Sequence, residues 1–268
     1  GGAVAHGFSP AATGRGEIKV YDVLPERSVN TLDETVNESD FVFVSVPTPM
    51  TKNGSINLKF INEVFKEIND VIINSNTIFI LKSTVVPGTT QKIQEKYPNL
   101  NIIFNPEFLT ERSARLDFIN ASRVILGGED ADVQEVEDLY RTRFPYVKII
   151  KSDITTAQFI KYMCNCFFAV KVSFMNEMKQ CANSLNADWP KVMEGFIADG
   201  RIGNSHLDVP GHDGHHGFGG KCFPKDLNAF ICLFQEMGIE PTVMEAAWKK
   251  NVEVREEEDW LEIEGAVS

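Results

Sequence analysis

A chain of 268 residues with 43% hydrophobic and 24% charged residues has an ordinary globular composition, and is long enough for one large domain or two ordinary ones. Its 26 basic and 38 acidic residues give a formal net charge of −12, which repels a nucleic-acid backbone or an anionic membrane surface, so an anionic ligand must be held by a local site. No apolar run approaches the roughly 18 residues of a membrane span, and the start GGAVAHGFSP lacks a charged leader region, so a cytoplasmic protein with neither nucleic-acid nor membrane partner is expected.

Along the first half, β-branched runs alternate with helical patterns. IKVYD (18–22), FVFVSV (41–46), TIFILKST (77–84), NIIFNPE (101–107), RVILGG (123–128) and VKIIKS (147–152) are apolar on both sides of the pleat, as in a parallel sheet covered by helices. Amphipathic stretches at 58–72 and 130–144 lie between them, and the alternation predicts a doubly wound, Rossmann-like α/β sheet over residues 1–152. From 153 to 268 the pattern becomes all-helical. It starts with one segment, 154–186, that has neither Gly nor Pro and is too apolar on several faces for a lone surface helix. Shorter helices follow at WPKVMEGFIADG, PKDLNAFICLFQEMG and TVMEAAWKKNVEVR, and the acidic end REEEDWLEIEGAVS reads as a solvated tail.

Asp22 closes IKVYD where a dinucleotide fold carries an acid for the adenosine ribose, and an acid rather than Arg favours NAD over NADP. The rival reading is that Asp22 caps a turn. Gly1 stands near the third glycine of a G-x-G-x-x-G turn, and since the first strand and first two glycines do not appear, N-terminal residues of the working protein are expected to precede Gly1. The five cysteines are odd in number and show no paired C-x-x-C spacing, which argues against a disulfide framework and structural zinc. Cys164, Cys166, Cys181 and Cys232 lie in apolar helical sequence and read as packing. Cys222 differs: it sits in a Gly-rich loop near Lys221 and Lys225, where cations favour the thiolate.

SVPTPM (45–50), KSTVVPGTT (82–90), NPEFLTERSA (105–114), AQFIKYMCNCFFAVKVSFMNE (157–177), DGRIG (199–203) and GFGGKCFPKDL (217–227) occur in order over nearly the whole chain. Together they resemble the UDP-glucose and UDP- or GDP-mannose-type nucleotide-sugar 6-dehydrogenases. The resemblance implies an NAD-dependent enzyme that oxidises a sugar C6 alcohol to the uronic acid, UDP-glucose being the leading substrate, and that forms a homodimer. It implies that Cys222, Lys161, Asn165, Glu107, Asp226 and Thr84 carry the chemistry. Thr48, Ser83, Thr84, Glu111 and Lys225 join Gly1 and Asp22 on the cofactor side. Phe108, Leu109, Lys161, Asn165, Phe218 and Gly219 face the substrate, and Arg201 reaches the sugar nucleotide bound by a partner subunit.

Each residue type suits that chemistry. A thiolate can capture an aldehyde so that a second hydride leaves and a thioester remains for hydrolysis. Lys161 and Asn165, four apart, share a helix face where a cation and an amide can stabilise an oxyanion. Glu107, with Asp226 and Thr84, could position or deprotonate the hydrolytic water. The sequence departs from the family in three places: it ends at Ser268 without the usual third region, it has only about 19 residues between Asp22 and the next strand, and it carries Arg112 where Gly is usual.

HLDVPGHDGHHGFGG offers His206, Asp208, His212, Asp213, His215 and His216 as metal ligands, but the spacings match no helical or finger pattern, so it is read as a substrate-covering loop without metal. Two rivals remain: a two-electron β-hydroxyacid dehydrogenase, which needs no cysteine, and an inactive paralogue that only binds nucleotide sugar.

Overall fold

Five of the β-branched runs form one sheet in the order β1 (Phe41–Val44), β2 (Ile78–Leu81), β3 (Asn101–Phe104), β4 (Arg123–Gly127), β5 (Lys148–Ser152). The computed structural model describes residues 2–9, 16–109, 113–263 and 265–268. Strands β1, β2 and β3 are mutually parallel, as are β4 and β5. The two groups meet antiparallel at Phe104 and Gly127, so the expected Rossmann-like parallel sheet carries one antiparallel junction. The segment 18–22 is not a strand. Its hydrogen bonds go to the following turn: the amides of Val29 and Asn30 both donate to the Val20 carbonyl at 2.9 Å, and Asn30 Oδ1 accepts from the Val20 amide at 3.1 Å. A run held locally in this way has no ladder to join.

Helices cover both faces, as apolar residues on both sides of the pleat require. One core joins Val42, Val44, Phe79, Leu81, Ile102 and Phe104 to α2 (Leu32–Asn37), α3 (Lys59–Val71) and α4 (Thr89–Lys96) through Val36, Ile61, Phe65 and Ile93. The opposite core joins Ile78, Ile80, Ile103, Val124 and Leu126 to α1 (Gly2–Gly7), α5 (Ala114–Ile119) and α6 (Asp130–Arg143) through Val4, Phe118, Val133 and Tyr140. Each fully buried Ile or Phe contributes about 1.5–3 kcal/mol, so the β-branched strands and the apolar faces of the helices select this layering together. The result is a Rossmann-like α/β unit.

The helical region consists of α7 (Ile154–Ser184), α8 (Trp189–Ile197), α9 (Phe223–Glu236) and α10 (Thr242–Val254). Asp153 caps α7, its carboxylate accepting from the Thr156 amide at 2.9 Å and hydroxyl at 2.6 Å. By compactness the chain divides into Gly1–Thr48 with Leu58–Lys161, and Pro49–Asn57 with Tyr162–Ser268. The division therefore falls within α7, whereas the change of sequence pattern lies at 152/153.

The acidic end is not a free tail. Trp260 is buried with its ring 5.3 Å from that of Trp248, Met50 donates to the Ala266 carbonyl at 2.8 Å, and the Ser268 amide donates to the Met50 carbonyl at 2.8 Å. One tryptophan and a set of backbone bonds to segment 49–57 outweigh the acidic composition. No helix among the described residues is long and apolar enough to cross a membrane.

Candidate active site

The α/β unit carries its candidate residues just past the carboxyl ends of β1, β2 and β3. Ser83 Oγ donates to the Val46 carbonyl at 2.7 Å and accepts from the Val46 amide at 2.8 Å, which ties the chain leaving β1 to the chain leaving β2. Thr48 is buried two residues beyond that tie, and Thr84 is half-buried. After β3, the turn 105–107 presents Glu107, whose carbonyl accepts from Lys161 Nζ at 2.5 Å. Lys161 is only 7% exposed, and its ammonium lies 5.2 Å from the centre of the Phe108 ring; the Arg123 guanidinium lies 4.4 Å from the same ring. Phe108 packs against one core and Leu109 against the other, so both also anchor the turn.

Beneath this turn lies a polar cluster that sequence reasoning missed. Asn105 Oδ1 accepts from Lys82 Nζ at 3.0 Å and from the Tyr140 hydroxyl at 2.6 Å, while Asn105 Nδ2 donates to the Ile125 carbonyl at 2.7 Å. Burial pushes the Lys82 pKa from 10.5 down to about 8; the Glu107 charge opposes this shift and the Lys161 charge adds to it. The sign of the resulting pH dependence follows. Below pH 8 both folded and unfolded chains hold the proton, and the burial penalty is fully present. Between about 8 and 10.5 the unfolded chain binds more protons, so stability rises with pH. Relative to Lys82→Met, the wild type should gain on the order of 3 kcal/mol across that window, read as the difference in urea midpoints at each pH. A constant difference from pH 7 to 10.5 would contradict it.

In the helical unit, Cys222 is exposed and stands at the N-cap position of α9, with φ −96° and ψ −62°. The helix N-terminus is the end that favours an anion, which suits a thiolate. One turn on, Asp226 is 1% exposed; its Oδ2 accepts from Asn165 Nδ2 at 2.6 Å and its Oδ1 pairs with the Lys225 ammonium. The Tyr162 ring stacks on Phe230 at 5.0 Å, and its buried hydroxyl has no hydrogen-bond partner among the described residues.

The loop leading to Cys222 is held by side chains that sequence reasoning also missed. Asn251 reads the peptide of Phe218 from both sides, accepting from its amide at 2.6 Å and donating to its carbonyl at 2.9 Å. Asn176 accepts from the Gly217 amide at 3.2 Å, and Asp259 from the Gly220 amide at 2.9 Å. Arg255 donates to the His216 carbonyl at 3.3 Å and pairs with Asp213 at 3.0 Å and Asp259 at 3.1 Å. These groups occupy the space that side chains at 217 and 219 would need: a Cβ would meet Asn251 Oδ1 at 2.4 Å from Gly217, and Asp259 Oδ1 at 2.2 Å from Gly219. The available signal was Asn251 itself, an amide one turn from Ala247 on the buried face of α10. Asn251→Ala should lower unfolding free energy by about 1–3 kcal/mol, because it leaves the buried Phe218 peptide unpaired. An unchanged urea midpoint would count against this reading of the loop.

The remaining candidates make contacts of their own within the chain. Asp22 Oδ1 accepts from the Leu24 amide at 3.0 Å, the turn-capping arrangement weighed as its rival role. Arg201 is largely exposed and forks onto Asp199 at 2.9 and 2.5 Å. Phe218 is buried, 6.1 Å edge-on to Phe223. In the histidine loop, His206 stacks on Phe168 at 4.2 Å, Asp213 holds Arg255 and His216 Nδ1 meets Asn176 Oδ1 at 3.0 Å; no group of metal-ligating side chains forms among the described residues. Gly1 and Glu111 lie outside the described residues, as does Arg112.

A Rossmann-like unit with polar residues just past its strand ends is joined to a helical unit in which α9 starts with an exposed cysteine. The chain belongs to the UDP-glucose/GDP-mannose dehydrogenase family: residues 25–144 match its NAD binding domain and residues 155–253 its central domain. It is 30% identical over 250 residues to the UDP-glucose 6-dehydrogenase TuaD of Bacillus subtilis, covering 90% of this chain and 53% of that protein. A solved UDP-glucose dehydrogenase from Pyrobaculum islandicum superposes with a TM-score of 0.72 at 29% identity, over 84% of this chain and 53% of that one. A Mycobacterium tuberculosis 3-hydroxyisobutyrate dehydrogenase superposes with a TM-score of 0.73 at 17% identity, over 94% of this chain and 90% of that one, a likeness of fold alone. The chain spans about half the length of the curated relatives it matches.

Proposed function

We propose that this chain carries out the NAD-dependent, four-electron oxidation of a nucleotide-sugar C6 alcohol to the uronic acid, with UDP-glucose as the leading substrate. The observation that carries the reading is Cys222, exposed at the start of α9 one turn before the buried Asp226, which is held by Asn165 and Lys225, in a chain of this family.

Ser83 and Thr84 would stand beside the nicotinamide and Thr48 elsewhere on the cofactor side, since all three follow the carboxyl ends of parallel strands, where dinucleotides lie. Lys225 stands as a cofactor-side residue by the family resemblance, and its pairing with Asp226 also gives it a structural use. Two molecules of NAD, bound in turn, would supply the hydride acceptor for the two oxidations, the alcohol proton being lost to the site in the first. Lys161 and Asn165 supply a cation and an amide for the oxygen that gains charge. The Cys222 sulfur forms a bond to the aldehyde carbon, giving a thiohemiacetal. Loss of the second hydride with the hydroxyl proton gives a thioester, and water then replaces the sulfur, releasing the carboxylate and restoring the thiol. Glu107, assisted by Asp226 and Thr84, serves as the group that orients or deprotonates that water. Phe108, Leu109, Phe218 and Gly219 shape the substrate side.

The same reading includes a homodimer. Phe159, Met163, Phe167, Phe174 and Met178 on α7 are all exposed, at 44%, 61%, 62%, 50% and 36%, an apolar stripe too long for a water-facing helix, and the exposed Arg201 would exchange its Asp199 partner for a neighbouring subunit's ligand. Sedimentation at micromolar concentration should give a dimer, and a fully active monomer would sink that part. For the activity, the test is NADH production against a panel of UDP- and GDP-sugars. UDP-glucose should respond most strongly, and silence across the panel would overturn the reading.

A further inference from the structure

We propose that Lys82 is a positioning residue of the reaction: through Asn105 it fixes the turn that presents Glu107 and the Glu107 carbonyl on which Lys161 rests. The proposal builds on the reading of Glu107 and Lys161 as members of the reacting centre.

Lys82 is 5% exposed, and its ammonium donates to Asn105 Oδ1. A neutral amide oxygen compensates a buried cation poorly, so a methionine of similar shape would suit the fold better than this lysine. A charge kept at a cost to the fold calls for another use. The geometry supplies one. Lys82 follows β2 directly, Asn105 follows β3 directly, the Ile125 carbonyl belongs to β4 and Tyr140 to α6, so the single Asn105 amide ties four elements two residues before Glu107. Both acceptor directions of Asn105 Oδ1 are filled, by Lys82 and Tyr140, which fixes the amide's orientation. The charged or titratable groups coupled to Lys82 are Glu107 on the turn and Lys161 on α7, with the Tyr140 hydroxyl on α6 sharing its acceptor. Lys82 thus sets both the position of the turn and the field around its two charged groups.

The test is Lys82→Met in the full chain, with Tyr140→Phe as a second variant that removes the other donor to Asn105. Lys82→Met should melt at or above the wild-type temperature at pH 7 and keep its NAD affinity within about twofold, while kcat falls about 10- to 100-fold with KM for the sugar nucleotide little changed. Hydrogen exchange in segment 105–109 should quicken by about tenfold or more, and Tyr140→Phe should give a smaller change in the same direction. Wild-type kcat with unchanged exchange in Lys82→Met would overturn the proposal, as would a lower melting temperature with unchanged turnover per folded molecule. If the wild type oxidises no nucleotide sugar, the functional reading fails by itself. Exchange in segment 105–109 then decides whether Lys82 fixes the turn: quickened exchange upholds it and unchanged exchange overturns it.

Discussion

Cys222→Ser should bind NAD and sugar nucleotide as the wild type does, and lose turnover by about a thousandfold or more. The side chain is exposed, and Cys→Ser exchanges one atom, so folding should be little affected. The serine hydroxyl, by contrast, is a weak nucleophile without an adjacent base, and no histidine stands in the motif to activate it. If the hydroxyl does add, the product is an ester that hydrolyses more slowly than a thioester, detectable as added mass on the protein. Were the cysteine an inert surface thiol, turnover per folded molecule would stay near the wild-type value.

Asp226→Ala should have the largest effect on stability, about 3–5 kcal/mol, because it removes one partner of a buried ion pair. Lys225 and Asp226 retain only 12% and 2% of their side-chain exposure, and Asn165 Nδ2 loses its acceptor in the same change. Urea denaturation measures the loss directly. A shift below about 1 kcal/mol would mean that Lys225 reaches water and that the pair behaves like a surface one.

Much of the fold is legible in the sequence because burial on both faces of a sheet leaves a plain mark. FVFV, IFIL and NIIF read as strands and are strands, and the long helix, with neither Gly nor Pro, begins at Ile154 as its apolar pattern indicates. The readings that failed share a cause, which is that a run's own composition does not reveal its hydrogen-bond partner. IKVYD has strand-like residues, yet the Val20 carbonyl is taken by Val29 and Asn30. REEEDWLEIEGAVS looks solvated, yet Arg255 finds Asp213 and Asp259, and Trp260 finds Trp248.

The candidate site divides in the same way. Cys222 stands out through its glycine loop and neighbouring lysines, and Asp226 only through its match to the family's P-K-D step. Lys82 does not, because in TIFILKST it reads as the end of an apolar strand; only its contact with Asn105 gives it a role. Asn251 and Asn176 are hidden for a similar reason, since an amide at a buried helix position has meaning only once the peptide it reads is known.

The claim that Cys222 performs covalent chemistry meets its most direct test in one measurement: NADH formed per sugar oxidised in a single turnover, with the protein quenched midway and its mass determined. The account predicts two NADH per sugar and a transient acyl mass on the peptide carrying Cys222. One NADH per sugar, with no mass added to that peptide, would contradict it and point to a two-electron dehydrogenase on the same fold.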